Sequence, residues 1–240
     1  MSLLQVVLVT LVATGATTVQ GTVGFGAALV AAPLLVLIDP RLVPGPISMM
    51  AITLGLLMLT RERGRAHWDA IRWPAIGLVP GACAGAAVVR ALAGTDALTI
   101  FLAGMVLVAV ALSVIGFHPR RRPAQLLAGG TTSGVMAASS GIGGPPIALF
   151  FQHATGPEIR GALARFFILS SLAAIALLAA FGQFGAEQLG LGALLIPGAV
   201  VGFAISGRLA GHVDAGRVRI AVLGLSTASA LVAIARALAT

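Results

Sequence analysis

The sequence predicts an all-α integral membrane protein from three features: its composition, the lengths of its apolar runs and the positions of its arginines. Hydrophobic residues make up 58% of the 240 residues and charged residues only 9%, and the mean hydropathy is +1.05. A soluble domain carries about 25% charged residues. This chain has too few charged side chains to cover the surface of a soluble fold, so that class is excluded.

Six apolar runs each suit one transmembrane helix. The chain contains no lysine, and its Asp, Glu and Arg residues divide it into eight uncharged runs. A helix that crosses a bilayer needs about 20 apolar residues. The last run is slightly short, but the arginines at both of its ends can extend to the interface. The six runs are 42–60, 73–89, 97–119, 166–186, 188–207 and 220–235.

The other two runs, 1–38 and 123–157, are much longer than a single span. A glycine-rich segment interrupts each of them, at residues 21–26 and at residues 140–146. The apolar piece after each break is too short to cross a bilayer at about 1.5 Å per residue. Each run is therefore predicted to be a re-entrant or broken-helix hairpin that turns near the membrane midplane, surrounded there by protein or a water-filled cavity.

The two halves of the chain are related in sequence. Residues 23–26 match residues 142–145, and the PGAxxG segment that begins at Pro80 matches the one that begins at Pro197. Both halves thus follow the order hairpin, span, span, span, and each PGAxxG segment predicts close helix packing. The expected units are a single transmembrane domain, 1–240, with repeat 1 at 1–117 and repeat 2 at 123–239.

The arginines indicate which side of the membrane each loop faces. Four segments carry 12 of the 15 arginines, and cytoplasmic loops are enriched in positive charge. If each long run returns to the side from which it entered, all four segments face the cytoplasm, both termini lie outside, and the second repeat is inverted relative to the first. The basic clusters are then orientation signals, and no nucleic-acid partner is expected. The segments are 61–72, 120–122, 158–165 and 208–219.

The two glycine breaks predict an anion-binding site at the midplane. Inverted repeats with broken helices place the substrate of many transporters where the half-helices begin. A half-helix start directs unpaired N–H groups and the positive end of its dipole at the ligand, and glycine lets the ligand approach the backbone. The predicted substrate-binding residues are Gln20, Thr22, Gly24, Phe25, Gly26, Ser140, Gly141, Ile142, Gly143, Gly144, His153 and Arg165.

Several of these residues, and other polar ones near the breaks, have a second interpretation. Ser and Thr hydroxyls either line the pocket or bond to a carbonyl of their own helix. His153 is either a pocket residue or an interfacial cap. Arg165 either draws anions to the cytoplasmic mouth or marks orientation. The further polar candidates are Thr18, Thr132, Ser133 and Ser139.

These segments resemble the TauE/SafE family of sulfite and sulfonate exporters, also known as the toluene-sulfonate uptake permease family. The resemblance covers essentially the whole chain. It rests on Gly21–Gly26 followed by Pro33, on Ser140–Pro146 with its GGPP sequence, on the PGAxxG segments, on Arg160, and on Gly207-Arg208. Many members have a fuller glycine run than the first motif here, VGFGAALVAAP. The resemblance implies a multi-pass carrier of the cell (inner) membrane that moves small sulfur-containing or organic anions, often outward.

Other classes are less well supported. An intramembrane serine hydrolase using Ser140 and His153 lacks a G-x-S-x-G elbow and an acidic residue within the membrane, so we do not expect an enzyme. The chain has no G-x-x-x-x-G-K-[ST] nucleotide loop, and its one cysteine, Cys83, cannot form a disulfide framework or a thiolate metal site, so no cofactor or metal is expected. The expected partners are a small anionic substrate and the lipid bilayer, and a homodimer stays open.

The carboxylates favour uncoupled export. Proton-coupled carriers keep an ionisable residue within the membrane, whereas all seven carboxylates here fall at predicted span ends or in loops. A membrane potential that is negative inside drives anions outward. Efflux of a small oxyanion by alternating access is therefore the leading hypothesis, and an anion channel or a Na⁺- or proton-coupled uptake carrier is the alternative. The identity of the anion stays open.

Overall fold

The structure is a computed structural model that describes residues 1–24, 26–62, 71–115, 119–151, 156–209 and 215–239. Throughout these ranges the regular secondary structure is helical, which confirms the predicted fold class. The helices are α1 (Leu3–Val23), α2 (Ala27–Ile38), a short 3-10 helix (Pro40–Leu42), α3 (Gly45–Glu62), α4 (Arg72–Leu92), α5 (Asp96–Val114), α6 (Pro123–Ser140), α7 (Gly144–Phe151), α8 (Gly156–Ala180), α9 (Ala186–Leu209) and α10 (Ala215–Ala239).

Within the described ranges, six helices are long and apolar enough to cross a membrane, which confirms a multi-pass membrane protein. They differ from the six predicted spans in two helices, α1 and α3. Residues 3–22 of α1 qualify, because α1 extends over 21 residues, about 31 Å, so the first arm of that hairpin is as long as a span. The apolar part of α3, Gly45–Arg61, falls just short. The six helices comprise Leu3–Thr22, Arg72–Leu92, Asp96–Val114, Gly161–Ala180, Ala186–Leu209 and Ile220–Leu238.

Both long runs break at their glycine segments. Helix α1 ends at a left-handed Gly24 (φ 101°), and α2 begins after a left-handed Gly26 (φ 107°). Helix α6 ends at Gly141 (φ 74°), and the eight-residue α7 begins at Gly144. Only glycine adopts positive φ at little cost, so the sequence places each break where the helix cannot continue. In each pair a long first arm is followed by a short half-helix.

The helices of the two halves contact each other in corresponding combinations. Helix α1 packs against α9, and its counterpart α6 packs against α4, the counterpart of α9. Likewise α2 contacts α10 and α7 contacts α5, while α3 packs against α8 and α5 against α10. This pattern is the one expected of two repeats related by a two-fold axis. The inversion of one repeat relative to the other and the repeat boundaries stay predictions.

The PGAxxG segments are close packing surfaces, as predicted. A Cβ atom at Gly81 or Gly85 of α4 would collide with a backbone carbonyl oxygen of α6, from Thr131 or Val135 respectively. In the same way, a Cβ atom at Gly198 of α9 would lie 2.6 Å from the carbonyl oxygen of Thr10 in α1. The motif of α4, in the first half, therefore packs against α6 of the second half, and the motif of α9, in the second half, packs against α1 of the first half.

Replacing Gly81 by alanine is expected to lower the melting temperature of the detergent-solubilised protein by several degrees. The added methyl group meets the Thr131 carbonyl, and overpacking of this kind costs about 1–3 kcal/mol. The matched control is Gly104→Ala in α5, where a Cβ atom has nothing within 4 Å. Equal melting temperatures for the two variants would contradict the packing role of the motif.

Candidate functional site

The two broken helices meet at a cavity of about 30 Å³, bordered also by the middle of α3 and of α8. The glycine segments of both halves thus line one shared space, although they lie far apart in the sequence. The lining residues of the first break are Gln20, Gly26, Ala27, Ala28 and Leu29, and those of the second are Gly141, Ile142, Gly143, Gly144 and Pro145. Helix α3 contributes Met50, Ala51 and Leu54, and α8 contributes Phe167, Ser170 and Ser171.

The start of α2 offers some free N–H groups to the cavity and has one that is already paired. The first N–H groups of a helix have no acceptor within that helix. The N–H of Ala27 donates to Oε1 of Gln20 at 2.8 Å, and the N–H of Val30 donates to the carbonyl of Gly26 at 3.1 Å. The N–H groups of Gly26, Ala28 and Leu29 have no acceptor among the described residues.

The second break has no such side-chain cap. The N–H of Gly141 donates to the carbonyl of Ala137 at 2.9 Å, closing α6. The next three N–H groups, those of Ile142, Gly143 and Gly144, find no acceptor in the part of the chain that the structure describes. The following two residues are prolines, which carry no N–H group. Each break therefore has three N–H groups without an acceptor among the described residues, but those of the second break are consecutive, whereas the first break is interrupted by the N–H of Ala27, which Gln20 caps.

The charge of this site is positive and comes from the backbone. The N-terminal ends of α2 and α7 both border the cavity, and each carries the positive end of a helix dipole. Within the described lining there is no carboxylate to oppose them. Five carboxylate residues have a described backbone position, and all of them lie in the first or last turn of a helix or next to it: Asp39, Glu62, Asp96, Glu158 and Glu187. An arrangement of free N–H groups and dipole ends suits an anion.

The structure brings together half of the predicted site residues at the cavity wall. These are Gln20, Gly26, Gly141, Ile142, Gly143 and Gly144. Gly24 borders the first break, where its N–H donates to the carbonyl of Gln20 at 2.7 Å, closing α1. Arg165 lies half-buried on α8, outside the lining set. Phe25 and His153 fall outside the described residues.

Most of the predicted hydroxyl ligands bond to their own helices; the exception is Ser133, whose buried Oγ has no partner among the described residues. Oγ1 of Thr22 donates to the carbonyl of Thr18, and Oγ of Ser140 donates to the carbonyl of Met136, each at 2.8 Å. Oγ1 of Thr132 donates within α6 in the same way. Such bonds satisfy a hydroxyl group that would otherwise be unpaired in an apolar environment. None of these three residues lines the cavity.

The cavity residues of α3 and α8 were not among the predicted substrate-binding residues. Their runs have the length of ordinary spans and contain no glycine break, so nothing marked them as part of a site. One signal was present. Ser170 and Ser171 form a pair of adjacent hydroxyl residues within an otherwise apolar stretch of run 166–186. Polar residues inside a membrane span tend to face the interior of the helix bundle.

Two arginines from segments predicted to be cytoplasmic donate hydrogen bonds to the C-terminal ends of α1 and α7. Arg61, at the end of α3, donates to Oγ of Ser206 at 3.2 Å and to the carbonyl of Gly21 near the end of α1, and it lies 4.5 Å from the centre of the Phe203 ring. Arg121 donates to the carbonyl of Phe150 at the end of α7, at 2.8 Å. Positive groups at helix C-termini are stabilising, so both arginines fix ends of the elements that form the cavity.

A comparison with known proteins matches the chain to one family model. The model is described as sulfite exporter TauE/SafE and matches residues 9–233. That interval contains both glycine breaks and every residue that lines the cavity. Comparisons with curated proteins and with solved structures gave no match.

Proposed function

The chain belongs to the sulfite exporter TauE/SafE family of membrane anion exporters, and from this premise we propose that it exports a small oxyanion held between the starts of α2 and α7. The substrate would be sulfite, an organosulfonate or a related oxyanion or carboxylate. Membership in a transporter family also favours a carrier over an enzyme. Alternating access would expose the cavity first to the cytoplasm and then to the outside.

One observation carries this proposal: free backbone N–H groups of two separate half-helices border the same cavity. Those of Gly26, Ala28 and Leu29 come from one half of the chain and those of Ile142, Gly143 and Gly144 come from the other, and none of the six has an acceptor among the described residues. A site shared between two repeats can open to either side when one repeat moves against the other. Neutral donors can release the anion as readily as they bind it, as a carrier requires.

The direction of transport follows from charge. Among the described residues, no titratable side chain lines the cavity, so a proton relay has no group to use there. A potential that is negative inside drives an anion outward by about 2.3 kcal/mol per charge per 100 mV. An uncoupled carrier of this kind therefore acts as an exporter without further energy input.

Proteoliposomes loaded with a sulfonate test this mechanism. Imposing an inside-negative potential with K⁺ and valinomycin should accelerate efflux several-fold, without any Na⁺ or pH gradient. The control is the same vesicle preparation without protein. Flux that appears only with a Na⁺ or proton gradient would favour the coupled uptake carrier, and conductance in planar bilayers far above carrier turnover would favour the channel.

A further inference from the structure

We propose that the hydroxyl group of Ser171 donates a hydrogen bond to the transported anion, and that this donor selects an anion with three oxygens over a carboxylate. The proposal rests on the proposed function and concerns the same cavity. It assigns a role to a residue on α8, a helix that borders the cavity beside the second glycine break, and it separates this residue from its neighbour Ser170.

Both serines are buried at the cavity wall. Ser170 is 2% exposed and Ser171 is 5% exposed, and both line the space between the two half-helices. The second break is close by, since a Cβ atom at Gly143 would lie 3.6 Å from Oγ of Ser170. Helix α8 therefore presents two hydroxyl residues beside the free N–H groups of the break.

The two hydroxyl groups differ in their hydrogen bonds. Oγ of Ser170 donates its proton to the carbonyl of Phe167 at 3.1 Å. Oγ of Ser171 makes no hydrogen bond with any described residue. Other buried serines in the helices, such as Ser48 and Ser226, donate to the carbonyl four residues earlier. Oγ of Ser171 is not fully enclosed by protein, so it is accessible at the cavity wall, where a ligand would supply the acceptor.

Ser171 gives the cavity a third set of donors. The first set is the start of α2, the second is the segment from Ile142 to Gly144, and the third is the hydroxyl on α8. A sulfite or sulfonate group has three oxygens and can accept from all three sets at once. A carboxylate can accept several hydrogen bonds, but its two oxygens lie in one plane and point toward two of the three sets. The third donor then stays unpaired, which costs affinity.

Methanesulfonate and acetate test this selection, because they share a methyl group and a single negative charge. We expect the wild type to prefer methanesulfonate, measured as KM for proteoliposome flux. Ser171→Ala should raise KM for methanesulfonate at least about tenfold, since a hydrogen bond to a charged group is worth that much or more. The same variant should change KM for acetate less than about threefold, so its preference for methanesulfonate over acetate should be smaller than that of the wild type. Ser171→Thr, which keeps the hydroxyl group, should retain most of the preference for methanesulfonate.

Ser48→Ala on α3 is the matched control, because Ser48 is a buried serine outside the cavity lining whose proton is already used by the Pro44 carbonyl; its KM for methanesulfonate should change less than about threefold. Equal KM values for Ser171→Ala and the wild type, at equal melting temperature, would overturn the role of Ser171 and leave anion export intact. Parallel losses for both anions would overturn the selection for three oxygens. A wild-type protein that moves neither anion would instead contradict the proposed function.

Discussion

Gly143→Val is expected to abolish anion flux in proteoliposomes while the protein still inserts into the membrane and purifies normally. A Cβ atom at this position would lie 2.9 Å from the Cβ atom of Ala137 and 3.3 Å from the carbonyl oxygen of Ser133, both on α6. The first distance is shorter than ordinary contacts between carbon atoms. Valine adds two further methyl groups, so the backbone at the second break has to move away from α6.

This displacement matters because the break supplies three consecutive donors to the cavity. The N–H groups of Ile142, Gly143 and Gly144 would move together, since they are consecutive in one short segment. A misplacement of about 1 Å is enough to weaken a hydrogen bond severely. Gly144 leaves no room on the other side, because a Cβ atom there would already lie 3.2 Å from the Phe167 ring.

The control for this variant is Gly104→Val, in α5, where the space around the Cβ position is open. That variant should transport at about the wild-type rate. Comparable expression and equal elution from a sizing column would show that both proteins fold. Full flux through Gly143→Val would remove the substrate site from the second break.

The backbone of the site was predictable from the sequence because glycine constrains it directly. Gly26 and Gly141 occupy positive φ values, and they stand out in the sequence as interruptions of uncharged runs that are too long for one span. The shared cavity follows from placing both breaks at the same depth. Backbone donors need no particular side chain, so the glycine motifs alone are enough to predict the proposed anion site.

The side chains of the site were not predictable in the same way. Thr22 and Ser140 lie next to the breaks, but each hydroxyl is one helical turn from a carbonyl that it can reach, and both bond there. Ser171 contributes through its position on α8, and only the packing of α8 against the breaks brings it to the cavity. Proximity in sequence to the break is therefore a poor guide to which hydroxyl group faces the ligand.

Gln20 is the exception among the predicted side chains, and it gives the second prediction with a large effect. Its Oε1 accepts the N–H of Ala27 at 2.8 Å, its Nε2 lies 3.8 Å from the sulfur of Met58, and the residue is 6% exposed at the cavity wall. The side chain of Gln20 thus caps α2 with a neutral oxygen. At the equivalent place in the second half, Ser139 bonds within its own helix and provides no such cap.

Gln20→Glu is expected to abolish anion flux without lowering the melting temperature. The carboxylate has nearly the same shape as the amide and can accept the same N–H of Ala27. A negative charge at the start of a helix is stabilising, so α2 stays capped. The same charge borders the cavity, however, where two like charges about 4 Å apart repel by about 4 kcal/mol at an effective dielectric constant of about 20. That energy corresponds to roughly a thousandfold loss of occupancy.

Gln20→Leu separates the two contributions of this side chain. Leucine removes the cap but adds no charge. The variant should therefore lose about 1 kcal/mol of unfolding free energy, seen as a lower melting temperature, and should lose only part of the flux. The decisive comparison is flux and melting temperature measured on the same preparations of the wild type and both variants. If Gln20 only capped α2, the Gln20→Glu protein would transport as well as the wild type. A stable Gln20→Glu protein without flux would place the anion beside the amide, because only a charge within the cavity can stop transport and leave the helix cap intact.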